Sequence, residues 1–206
     1  MSGIFITLEG GEGAGKSTQI PRIAEYLRSR GLDPVCLREP GGTPCAEKIR
    51  AILKERRDDD RLCDTAELLL MYAARAQLTK TVIRPALEKG RAVLCDRYDL
   101  STLAYQGGGR GIPLDEILAI RKVAIGDFRP DLTLLFDLDV KQGLARARGR
   151  GEADRFELSG LEFFNRVRDA YLGLQKEDPE RIRLIDASRG EDEVFMQCRA
   201  AIEEAL

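Results

Sequence analysis

The chain has neither histidine nor tryptophan among its 206 residues. Without histidine there is no usual general base near neutral pH and no imidazole metal ligand, so any catalysis must rest on charge and positioning. No window approaches the roughly 18 uninterrupted apolar residues of a membrane span, and the N-terminus enters a strand-like segment without a signal peptide's charged and apolar regions. A cytoplasmic protein with no membrane partner is expected. An excess of one charge sign is also missing, since 33 Lys and Arg nearly cancel 35 Asp and Glu. That argues against a general nucleic-acid surface and makes any positive site local. The cysteines, Cys36, Cys45, Cys63, Cys95 and Cys198, are odd in number and lack the paired spacing of a zinc site or disulfide framework. They are expected to be reduced and mostly buried. A chain of this length can close around one core, so a single domain over residues 1–206 with a small mobile insertion is expected.

What is present is an alternation of short apolar runs with longer helical ones, the pattern of a parallel sheet covered by crossover helices. Five strands are expected at residues 3–9, 33–38, 91–95, 132–137 and 181–186. Helices are expected near 15–30, 44–56, 64–89, 113–126, 140–149, 159–178 and 191–205, with Gly31, Pro44, Gly90, Pro130 and Pro179 marking boundaries. Asp64 and Asp139 stand where N-caps would. The run Asp58-Asp59-Asp60, flanked by Arg56, Arg57 and Arg61, reads as a solvated helix end rather than a metal cluster.

Between the first strand and helix lies Gly10-Gly11-Glu12-Gly13-Ala14-Gly15-Lys16-Ser17, a complete Gly-x-x-x-x-Gly-Lys-Ser phosphate loop, followed by Thr18. Its glycines let several backbone N–H groups face one concavity, and the helix adds its positive end, so a polyphosphate is held mainly by main chain. Lys16 would reach the β- and γ-phosphates, and the Ser17 hydroxyl would ligate Mg²⁺. A nucleoside triphosphate is the expected ligand. Glu12 would repel a polyphosphate if it faced inward, so it should point away from it. The segment Asn-Lys-x-Asp of guanine-specific GTPases is absent.

Further segments occur in a fixed order around this loop: Arg38-Glu39-Pro40-Gly41-Gly42-Thr43, Tyr72-Ala73-Ala74-Arg75, Asp96-Arg97-Tyr98, Ala104-Tyr105-Gln106-Gly107-Gly108-Gly109-Arg110-Gly111 and Gly126-Asp127-Phe128-Arg129-Pro130-Asp131. Together with Glu9–Ser17 they resemble the thymidylate kinase family, most closely its bacterial branch, from near the N-terminus to about residue 186.

The resemblance implies an α/β P-loop nucleoside monophosphate kinase fold around a five-stranded parallel sheet. It implies transfer of the ATP γ-phosphoryl group to thymidine monophosphate (dTMP) with Mg²⁺, and a homodimer. Arg97 would contact the acceptor phosphate, and Asp96 would organise Mg²⁺. Arg75 would lie near the acceptor phosphate or thymine, with Arg38 as a further acceptor-side arginine; Arg50 reads either as another or as part of the solvated face of the next helix. Glu12 would sit near the acceptor's sugar and phosphate. The basic segment 146–157 matches a lid, whose Arg148, Arg150 or Arg155 would clamp the transition state while Arg146 packs against adenine beside Asp186 and Ala187. Thr102, Tyr105 and Gln106 match the sugar and base pocket, with Tyr105 crowding a 2′-hydroxyl. Gln106 offers both a donor and an acceptor to a pyrimidine edge. The chain departs from the family at Met71, where many members carry an aromatic residue that stacks on thymine; a thioether can also contact a ring face. The Gly107–Gly109 run reads either as a flexible turn or as a pocket wall. Two alternatives remain: a kinase of another nucleoside or nucleoside monophosphate, and a non-catalytic ATP-dependent switch.

Overall fold

The structure is a computed structural model that describes residues 3–55, 59–147 and 159–206. Its strands are β1 (Phe5–Gly10), β2 (Pro34–Arg38), β3 (Ala92–Asp96), β4 (Leu132–Asp137) and β5 (Ile182–Asp186). Among the described residues they form one parallel five-stranded sheet in the order β2-β3-β1-β4-β5. The helices are α1 (Lys16–Ser29), α2 (Pro44–Lys54), α3 (Asp64–Leu78), α4 (Arg84–Glu88), α5 (Asp99–Thr102), α6 (Leu114–Ala124), α7 (Val140–Ala147), α8 (Leu161–Glu177) and α9 (Glu191–Ala205). No helix among the described residues is long and apolar enough to cross a membrane.

Every residue of β1 is buried, as expected for a central parallel strand covered on both faces. The two-residue period of a strand divides its side chains. Ile4, Ile6 and Leu8 join Ile23, Leu27 and Ile202 in one core layer with α1 and α9. Phe5 packs on the opposite face with Leu78, Ile83, Val93 and Tyr98. Thr7 follows Phe5 in that register and meets the Thr133 hydroxyl at 2.9 Å, and Glu9 comes next. The loops after the adjacent strands β1 and β3 open at the carboxyl end of the sheet, where parallel α/β sheets bind ligands.

Two helical segments depart from the sequence expectation. The single helix expected at 64–89 is α3, a π-helical segment Thr79–Ile83, and α4. Pro85 lacks an N–H and its ring would strike the carbonyl one turn back, so the helix widens there. The stretch after Tyr98, not expected as helix, forms α5 and a π-helical segment Leu103–Gly109. Its glycines are structural: a Cβ on Gly108 would lie 2.5 Å from the Ala170 Cβ, and one on Gly109 would lie 2.5 Å from Phe163 Cε2, both on α8. Close packing overrides the poor helix propensity of glycine.

Three smaller expectations change as well. Cys36, Cys45 and Cys63 are exposed, and only Cys95 and Cys198 are buried, although all five are free. Asp139 caps α7 by accepting from the Gln142 N–H at 3.1 Å, whereas Asp64 is the first residue of α3 and Cys63 takes the cap position. Helix α2 ends at Lys54, so Asp59 and Asp60 are exposed outside it, while Asp58 lies outside the described residues. No cluster of metal-ligating side chains occurs among the described residues.

Helix α7 meets the phosphate loop through glycine on both sides. A Cβ on Gly143 would run into the Glu12 carbonyl oxygen, and one on Gly13 into the Gly143 carbonyl oxygen. Replacing Gly143 by alanine improves helix propensity by up to about 1 kcal/mol. Overpacking against backbone costs about 1–3 kcal/mol, so the net expectation for Gly143→Ala is a lower urea unfolding midpoint. An unchanged or raised midpoint would show that the contact is slack.

Candidate active site

The loop from Gly10 to Ser17 bends through left-handed backbone at Gly13 (φ 69°) and Gly15 (φ 87°), conformations that glycine reaches without a Cβ clash. The Lys16 ammonium donates to the carbonyl oxygens of Gly10 and Gly11 at 3.0 and 2.9 Å. Its pKa is lowered to about 8, first by burial and then by the Arg97 charge, against the opposing pull of Asp96, Glu12 and Glu9.

A cavity of about 230 Å³ runs from this loop across the sheet end. It is lined by Glu12, Gly13, Ala14, Gly15, Lys16 and Ser17 of the loop together with Arg38, Arg50, Met71, Arg75, Asp96, Arg97, Thr102, Tyr105 and Gln106. Five of the six segments singled out by sequence thus converge on one concavity, whereas Gly126–Asp131 does not line it. Gly10 and Gly11 line a smaller adjoining cavity. Thr18 is exposed on α1 and does not line the main one. Exposed Arg146 donates to the Ala187 carbonyl at 3.3 Å, which brings α7 to the loop after β5 and thus close to Asp186. Arg148, Arg150 and Arg155 lie outside the described residues.

Arg97 is the one non-glycine residue with positive φ (68°) among the described residues. Its guanidinium donates to Gly10 O at 3.0 Å and to Glu12 Oε1 at 2.6 Å, and it lies 5.0 Å from the Tyr105 ring centroid. The Tyr105 hydroxyl donates to the same Glu12 oxygen at 3.1 Å. Glu12 therefore faces the Arg97 and Tyr105 side of the cavity, as its charge leads one to expect.

The unusual backbone at Arg97 is held by Glu9, which the sequence reading quoted only as part of a motif. Fully buried at the end of β1, its carboxylate accepts from the Tyr98 and Ser101 N–H groups at 2.7 and 3.3 Å, from the Ser101 hydroxyl, and from the Tyr171 hydroxyl at 2.9 Å. Burial raises its pKa, opposed first by the Ser101 hydrogen bond and then by the Arg97 charge. The signal was visible in the sequence: a carboxylate closing an otherwise apolar run, Ile4-Phe5-Ile6-Thr7-Leu8, needs buried partners.

Arg75 is more deeply enclosed than a helix-face arginine, at 2% exposure. It donates to Glu39 Oε2 at 2.7 Å, the Thr102 hydroxyl at 2.9 Å and the Tyr98 carbonyl at 3.0 Å, and lies 3.5 Å from Asp99. Most of its N–H groups thus point into the protein. Burial pushes the Glu39 carboxyl upward while the Arg75 charge pulls it down. Tyr72, next to Met71, is buried with its hydroxyl on Asp99 Oδ1 at 2.9 Å, so of the two it is Met71 that lines the cavity. Arg38 pairs with Glu47 at 3.1 Å, and Arg50 donates to the Pro40 carbonyl at 2.8 Å. Glu39 Oε1 and Asp96 Oδ1 are buried acceptors with no hydrogen-bond partner among the described residues, on residues that line the cavity. Such atoms call for a donor or a cation from a ligand.

A bound polyphosphate favours the charged form of Lys16. Above pH 8 the free lysine is increasingly neutral, so binding must take up a proton, and triphosphate affinity falls by up to about tenfold per pH unit. Titration calorimetry at pH 9 in buffers of different ionisation enthalpy should show proton uptake. Identical heats in all buffers would contradict it.

Comparison with known proteins agrees with this geometry. The family described as "Thymidylate kinase" matches residues 8–198. A thymidylate kinase of Pseudomonas fluorescens (strain Pf0-1) is 57% identical over 189 residues, covering 92% of this chain and 90% of its own. One from Ectopseudomonas mendocina (strain ymp) is 54% identical over 206 residues, covering 100% and 96%. The crystal structure of thymidylate kinase from Ehrlichia chaffeensis superposes with a TM-score of 0.78 at 32% identity, covering 98% of this chain and 99% of that one. A P-loop kinase sheet, a cavity shared by the phosphate loop and several arginines, and matches across nearly the whole length place the chain in the thymidylate kinase family.

Proposed function

We propose that the protein phosphorylates dTMP with ATP, giving dTDP and ADP for dTTP synthesis. One observation carries this reading: the phosphate loop and the acceptor-side residues line the same cavity, so two anionic substrates can meet there. An oxygen of the dTMP phosphate attacks the γ-phosphorus, and the bond to the bridging β–γ oxygen breaks with its electrons passing to ADP. The nucleophile is already an anion near neutral pH, so a chain without histidine needs no general base for this step. The protein's work is alignment and compensation of charge on the transferred group.

Lys16 serves the β- and γ-phosphates, and Arg97, anchored between Gly10 and Glu12, serves the acceptor phosphate. Met71, Thr102, Tyr105 and Gln106 form the nucleoside wall. Ser17 and the unpartnered Asp96 Oδ1 fit a hydrated Mg²⁺, which would neutralise phosphate charge. Arg146, beside Ala187, supports adenine placement. Arg148, Arg150 and Arg155 enter as transition-state charges on sequence grounds alone. A cytoplasmic homodimer completes the reading. It is supported by the exposed apolar side chains Leu69 on α3 and Leu114, Leu118 and Val123 on the helix packed against it, α6.

ADP release measured across the nucleoside monophosphates with Mg²⁺ should be fastest with dTMP. Lys16→Ala and Arg97→Ala should each lower kcat/KM by about 10²–10³-fold. Equal ADP release with no monophosphate added would rule the kinase reading out. In sedimentation velocity the protein should run as a dimer, and a monomer at micromolar concentration would remove that part.

A further inference from the structure

Gln106 lines the cavity, but its side-chain amide is not free to choose which end it offers. The amide nitrogen donates to Glu67 Oε1 at 2.6 Å. Glu67 is fully buried in the first turn of α3, and its other oxygen lies 3.3 Å from the Arg110 guanidinium. That arginine is itself seated 5.0 Å from the Phe163 ring centroid. A carboxylate paired with a guanidinium has only acceptors. Turning the amide over would set its carbonyl oxygen against the carboxylate in a buried place, where an unsatisfied polar contact is costly. The orientation is therefore fixed by the partner. The Gln106 Oε1 accepts no hydrogen bond among the described residues, and it is left as an acceptor for a ligand.

We infer that Glu67, which does not line the cavity, is a specificity-determining residue: it locks the Gln106 amide so that Oε1 is held as the acceptor toward the base edge, a place that suits thymine's N3–H and not the lone pair of cytosine N3. The inference rests on the thymidylate reading of the cavity. Thymine's pairing edge offers two carbonyl oxygens and a single donor, N3–H, so an acceptor at this place meets N3–H or finds no partner. Cytosine has an unprotonated N3, whose lone pair would face the Gln106 oxygen. The sequence suggested that Gln106 could present either a donor or an acceptor; Glu67 takes up an amide N–H and leaves Oε1 as the acceptor. It acts through Gln106 and is a positioning residue. Gln106 is seated in the cavity wall by the π-helical turn Leu103–Gly109, and Arg110, which meets Glu67, follows directly after it.

The test compares dTMP with 5-methyl-dCMP, which keeps the methyl group, sugar and phosphate and changes only the base edge. Titration calorimetry of the wild-type protein with each ligand should give a preference for dTMP of roughly a hundredfold or more. In Glu67→Gln the new amide can donate or accept, Gln106 can turn, and the preference should fall by at least about tenfold, mainly through tighter 5-methyl-dCMP binding. In Gln106→Leu the preference should fall too, and adding Glu67→Gln to it should change the ratio no further. A structural role alone would weaken both ligands together and persist in the double variant. Equal wild-type affinities overturn the inference with no variant required, as does a Glu67→Gln ratio unchanged from wild type. If ATP binds and neither pyrimidine does, the thymidylate reading itself fails. If dTMP is preferred but Glu67→Gln keeps the full preference, only the lock fails.

Discussion

Glu9 is a charged side chain at the end of a strand whose other inward residues are apolar or neutral, and its oxygens accept from two backbone N–H groups and two hydroxyls. A buried carboxylate is tolerable only with such a set of donors. The same bonds make the start of α5 depend on it, because Tyr98 and Ser101 hold the chain as it leaves β3. They thereby hold Arg97 in a left-handed conformation that costs of order 1–3 kcal/mol when unsupported. The alternation of β1 puts Glu9 on the face covered by α8, so Tyr171 joins the bond set from the far end of the sequence. The position of the central cation thus follows from one residue's register in the sheet.

Around that anchor, charge is balanced largely between guanidinium and carboxylate groups. Arg97 pairs with Glu12 in the cavity wall, and behind it Arg75 links Glu39 to Asp99, which Arg121 also meets. Because Arg75 directs most of its donors inward, it fastens α3 to the loop after β2 and to the segment after β3. This side of the cavity is thus cross-linked by buried hydrogen bonds. Polar acceptors left over at Glu39 and Asp96 are fixed in advance of any ligand, the condition under which electrostatic groups act without reorganising.

The sheet strands were legible to within two residues at either end because continuous apolar runs bounded by glycine and proline have few other readings. The phosphate loop was legible because its function is written in backbone permissiveness, which glycine reveals directly. The helical stretch 99–109 was hidden: three consecutive glycines argue for a turn until Ala170 and Phe163 are seen pressing on them. Exposed Cys36, Cys45 and Cys63 were misread from the average burial of the residue type. Glu9, Glu39, Glu67 and Asp99 received no roles because their partners lie between 22 and 162 residues away in sequence, and no local spacing encodes such pairings. The site residues that touch the cavity could be carried over from motif resemblance, whereas those that hold them in place required three-dimensional neighbours.

The glycine contact between the phosphate loop and α7 has a consequence for how this scaffold can change. Gly13 and Gly143 are far apart in the chain, yet the Gly143 carbonyl occupies the space that Gly13's missing side chain leaves open, and the Glu12 carbonyl the space left at Gly143. A graft that imports α7 and the basic segment after it from another kinase must bring a glycine at the contact or a loop with a different bend. Recombination boundaries placed between these two positions would join incompatible halves, even when each half is sound in its own parent. Modularity in this fold ends where two backbones touch.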